Sequence, residues 1–170
     1  MQFNKSLMTA ALLAVSSLAV VSANAATATP ATFDVKLEVL AMCNITAGAA
    51  SDIDLGTVND GSVKTGNNTI AVACSSGTPY NVGLTSSTSE TDGTGTLTGP
   101  GTAIGYVLTQ TAGAAGTPWG DTVGVGTNTL AATGNGVTAA NTHTVYATTT
   151  TSTDVAPGTY DDTVTVNVTY

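Results

Sequence analysis

The sequence predicts an all-β chain folded as an antiparallel sandwich. Three observations carry that expectation. Apolar and polar residues alternate in short runs of strand formers, and a strand turns successive side chains to opposite faces. Clusters of Gly, Pro, Ser, Thr and Asn separate these runs. The residues that fill ordinary helices are nearly missing: Arg is absent, and Glu and Lys are scarce.

Residues 1–25 read as a secretory signal peptide. Lys5 supplies the positive start, and Leu7 to Val21 is an apolar stretch too short to span a membrane. Ala23-Asn24-Ala25 is a small-residue cleavage site. The alternative is an uncleaved anchor helix. Ala26 to Ala31 is then a small-residue leader. The opening strand follows, with Phe33, Val35, Leu37 and Val39 on one edge and Asp34, Lys36 and Glu38 on the other.

Within the domain, Ala41 to Ile45 begins a second stretch and Ile53 to Gly56 a third. Asn68 to Cys74 reads as a strand with Ile70, Val72 and Cys74 pointing inward. Ser75 to Pro79 is a turn, and Tyr80, Val82 and Leu84 form the next strand. Thr85 to Gly101 reads as a long polar loop. Ile104, Tyr106 and Leu108 mark another strand, followed by a loop to Trp119, the only tryptophan. Thr122 to Val125 is a weak strand, and Asn141 to Ala147 a better one. The last strand is expected over Tyr160 to Tyr170, with Val164, Val166, Val168 and Tyr170 on one face. The first and last of these strands alternate most strictly, as in an antiparallel sheet with one buried face.

Removal of residues 1–25 leaves 145 residues, enough for one domain with a real core. Lys36 and Lys64 then face eleven acids, a net charge of −9. Such a chain cannot neutralise phosphates, which excludes nucleic acid and anionic lipid as partners. Cys43 and Cys74 are an even pair in an exported chain and read as one disulfide. Two cysteines and one histidine are too few for a closed zinc site.

No catalytic constellation emerges. His143 is the only histidine and lies in a strand between threonines, with no G-x-S-x-G pattern elsewhere. Asp161 and Asp162 are adjacent on a strand and diverge. Asp52 and Asp54 share a face, but no calcium-loop pattern surrounds them. The sequons at Asn44, Asn67 and Asn167 arise easily in a Thr-rich chain. We expect no enzyme activity, no cofactor, no metal and no small-molecule substrate.

Several motifs occur in a fixed order: Cys74-Ser75-x-Gly77-Thr78-Pro79-Tyr80, Ile104-Gly105-Tyr106, Trp119-Gly120, His143-Thr144-Val145-Tyr146, and Pro157-Gly158-Thr159-Tyr160-x-Asp162-Thr163-Val164-x-Val166-x-Val168-x-Tyr170. With the opening strand and Cys43, they resemble the spore coat protein U domain family, and within it the subunits of archaic, Csu-type chaperone–usher pili. The resemblance implies an immunoglobulin-like sandwich that lacks its last strand. A periplasmic chaperone would lend a strand during folding, and the extension of the next subunit would replace it at an outer-membrane usher. It implies that residues 26–40 are an N-terminal extension with Phe33, Val35, Leu37 and Val39 as the donor plugs, and residues 41–170 the domain proper. Val164, Val166, Val168 and Tyr170 would line the groove and meet the chaperone, and Cys43–Cys74 would match the family disulfide. The implied product is a cell-surface pilus of copies of this chain or related subunits, serving adhesion and biofilm formation. Two alternatives stay open: a spore-coat or cell-envelope protein that folds alone, and a secreted binding module or hydrolase with a site near Trp119.

Overall fold

The structure, a computed structural model, describes residues 27–47, 52–122 and 127–170. The expected signal peptide and residues 123–125 of the expected weak strand lie outside the described residues. The chain divides into two units, Met1–Leu37 and Glu38–Tyr170.

The second unit carries eight strands in two antiparallel sheets. They are β1 (Cys43–Ala47), β2 (Thr65–Cys74), β3 (Pro79–Thr85), β4 (Thr94–Leu97), β5 (Ile104–Thr109), β6 (Leu130–Thr133), β7 (Asn141–Thr149) and β8 (Thr165–Thr169). The larger sheet has the order β1-β2-β7-β5-β4, and the smaller β6-β3-β8. Among the described residues there is no helix. This is an immunoglobulin-like sandwich.

The inward faces are those that alternation assigns. Ile70, Val72 and Cys74 of β2 are buried against Tyr80, Val82 and Leu84 of β3, and Tyr106, Leu108, Val145 and Ala147 complete the layer. Cys43 and Cys74 face each other in the β1–β2 register and form a disulfide with Sγ–Sγ 2.02 Å.

Four expectations are corrected. Residues 33–39 carry no strand assignment, because strand formation needs a neighbour to take the backbone hydrogen bonds. Ile53 to Gly56 is not a strand either; Ile53 and Leu55 instead lie half-buried against Gly66, where a Cβ would stand 2.8 Å from Ile53 Cγ2. The last strand is shorter than Tyr160–Tyr170, since Asp161 pairs with Thr98 rather than with the β8 partner, β3. The polar stretch 85–101 contains β4, and β6 was not foreseen.

A groove along the open edge of β8

β8 is the last strand and an edge strand. It pairs with β3 in the register Leu84↔Val166 and Val82↔Val168. On its other side no strand follows among the described residues, so its outward N–H and C=O groups form an open edge. Val164, Val166 and Val168 turn inward and are half-buried against the core. Tyr170, the fourth residue of that face, is 63% exposed and stands beyond the end of β8.

Beside β8 the sandwich opens into a cleft of about 570 Å³. Its lining is continuous with the core: Ile70 and Val145 from the larger sheet, Leu84 from β3, and Val164 and Val166 from the β8 side. Ile53 and Leu55 line it as well, which gives the irregular 52–55 segment a role the strand expectation did not anticipate.

Polar groups interrupt this lining, Tyr106 and Asp162 among them. Tyr106 reaches across from β5 and its hydroxyl donates to Asp162 Oδ2 at 2.7 Å. Burial, then the hydrogen bond to Asp162 and its charge, push the Tyr106 phenol far above its ordinary range. Burial acts to raise the Asp162 carboxyl, but hydrogen bonds from Ser87, Tyr106 and the Thr163 N–H outweigh it and hold it below the usual range. The adjacent Asp161 turns the other way and exchanges two backbone hydrogen bonds with Thr98, 2.9 and 3.1 Å. The pair therefore ties the start of β8 to the larger sheet.

The residues expected to act as plugs are accessible. Phe33, Val35 and Leu37 are each 87% exposed and Val39 is 79% exposed. Lys36 lies 3.7 Å from Asp34, both side chains in solvent. Farther along, the Met42 N–H donates to Ser75 Oγ and the Ser75 N–H to the Met42 carbonyl, which fixes the chain at the entry to β1.

Trp119 offers no ligand platform. It is fully buried and its Nε1–H donates to the Val82 carbonyl at 2.9 Å, so the expected loop-site alternative loses its anchor. His143 is a core-edge residue. Its Nε2 lies 2.9 Å from the Tyr80 hydroxyl, which also accepts from Asn141 Nδ2 at 2.9 Å. Burial lowers its pKa below the ordinary value. This network links β3 to β7 and holds no serine or cysteine nucleophile.

Residues 29–167 match the Spore Coat Protein U domain family. The chain belongs to that family. Among solved structures it is similar to the CsuC–CsuE chaperone–tip adhesion subunit pre-assembly complex from archaic chaperone–usher Csu pili of Acinetobacter baumannii. That match has 24% identity and a TM-score of 0.50 over 78% of this chain and 40% of that one. A second match, 14% identical with a TM-score of 0.38, is to a chaperone–tip adhesin complex of CFA/I fimbriae biogenesis, over 75% of this chain and 41% of that one. The chain thus spans about two fifths of the length of each of these structures. A search of curated proteins finds no match.

Proposed function

We propose that this Spore Coat Protein U domain is a structural subunit of a chaperone–usher pilus. Its groove takes a strand from a partner, first a periplasmic chaperone and then residues 33–39 of the next subunit, delivered at an outer-membrane usher. Residues 1–25 direct export, residues 26–40 are the donor extension and residues 41–170 the accepting domain. The assembled pilus stands on the cell surface and serves adhesion and biofilm formation.

One observation carries this reading. The last strand leaves an open, core-lined edge in a chain that also holds an exposed segment with four alternating apolar side chains. An added strand supplies backbone hydrogen bonds to β8 and side chains to the cleft. Burial of four apolar side chains contributes about 6–12 kcal/mol before ordering costs. Each such contact is head-to-tail and does not close on itself, so repetition builds a fibre. Similarity to a structure described as a chaperone–subunit complex supports the fold that this mechanism needs.

Co-expression with its chaperone and usher tests the reading. Leu37→Asp places a charge where a plug must enter the cleft. It should leave the chaperone-bound subunit intact and stop polymer growth. A chain that purifies as a stable monomer without any chaperone would instead favour an envelope protein that folds alone.

A further inference from the structure

The charged edge of the donor segment has no role in filling a groove, yet it holds one of the two lysines beyond residue 25. Asp34, Lys36 and Glu38 form a minus–plus–minus row that faces away from the plugs. The outer face of β3 and β8 explains that row.

That face is nearly uncharged. Asn81, Gly83 and Thr85 of β3 lie beside Thr165, Asn167 and Thr169 of β8. The carboxylate of Asp121 is placed on it. Asp121 lies over Gly83, where a Cβ would stand 1.8 Å from its Oδ1. Its Oδ2 accepts from Asn167 Nδ2 at 2.7 Å and from Thr85 Oγ1 at 3.4 Å. The glycine makes room for the acid, and Asn167 holds it. With Nδ2 committed to Asp121, the Asn167 amide oxygen is directed away from that carboxylate.

Register then becomes decisive. Lys36 is the midpoint of Phe33–Val39, and Asn167 is the midpoint of Val164–Tyr170. An incoming strand with Lys36 opposite Asn167 aligns all four plugs with Val164, Val166, Val168 and Tyr170. This holds for either strand direction, because both sets are symmetric about their midpoints. Opposed Cα atoms then stand about 4.5–5.5 Å apart, close enough for a long side chain to reach across β8. Lys36 reaches the Asn167 amide oxygen and the Asp121 carboxylate behind it. A slip of two residues moves the ammonium by about 6.8 Å. It also brings Asp34 or Glu38 opposite Asn167, so that like charges meet.

Resting on the donor-strand reading above, we propose that Asp121, held by Asn167, is the register-determining counter-charge for Lys36 of a second copy. Attraction marks the matched register, and repulsion penalises both neighbouring ones. The Asp34–Lys36 pair, exposed to solvent, contributes little and is readily exchanged.

A double-mutant cycle on polymer growth from full-length, chaperone-bound subunits tests this. Lys36→Glu should slow growth at least about fivefold when Asp121 is present. In an Asp121→Asn background the same change should cost less than about twofold. If Asp121→Asn subunits cannot be recovered, salt decides in the parent background: about 0.5 M NaCl should restore most of the lost rate to Lys36→Glu. Equal slowing in both backgrounds, or a loss indifferent to salt, overturns the counter-charge. Failure of the parent chain to polymerise overturns the donor-strand reading itself.

Discussion

Gly83 shows how much one position can decide. A methyl there would meet Asp121 Oδ1 at 1.8 Å and its Cγ at 2.4 Å, so the carboxylate would have to leave Asn167. Gly83→Ala should destabilise the strand-filled subunit by about 1–3 kcal/mol, measurable by urea unfolding. His143 makes a second point at this scale. Its folded pKa lies below the ordinary 6.5 because burial disfavours the charged ring. A lowered folded pKa means that the unfolded chain binds more protons in the window between the two values. The stability that His143 contributes is therefore fully present above about pH 6.5 and is lost as pH falls through the folded value. His143→Gln should flatten that limb of a stability-versus-pH curve. Neither feature was legible in the sequence. Gly83 reads as an ordinary strand glycine, and Asp121 as a loop acid, until the fold sets one on the other.

Among the elements, the long alternating strands were legible and the short ones were not. Ile70, Val72 and Cys74, or Tyr80, Val82 and Leu84, declare a buried face in any register. β4 hides because Thr94-Gly95-Thr96-Leu97 holds a single apolar side chain. Its Gly95 is required by the Tyr106 ring, whose Cζ would lie 2.2 Å from an added Cβ. β6 is as short and offers only Leu130 as a large apolar residue. The opposite error occurred at 33–39, where perfect alternation belongs to no strand in the structure. Periodicity reports that a segment can have a buried face, and it is silent on whose core that face enters. Val166 packs on Leu84 in the accepting domain, so Val166→Asp should cost the chaperone-bound subunit, read as loss of its yield in the periplasm.

For the molecule as a whole, the disulfide and the open edge belong to different sheets. Cys43–Cys74 closes a span of 31 residues and pins β1 beside β2. Its removal by Cys43→Ser/Cys74→Ser should lower stability by about 3–4 kcal/mol, measured on the strand-filled subunit. The cysteine pairing was legible from an even count in a chain whose sequence reads as exported. The open edge of β8 was not, because an unpaired edge leaves no mark on periodicity; it needed the sheet order β6-β3-β8 among the described residues to appear. The central claim is that Phe33, Val35, Leu37 and Val39 enter the groove of another copy. The most direct measurement is gel analysis of unheated surface extracts from cells expressing either the parent chain or Leu37→Asp with chaperone and usher. The account predicts a ladder of heat-dissociable multimers from the parent and only chaperone-bound monomer from Leu37→Asp. An unchanged ladder from Leu37→Asp would contradict it.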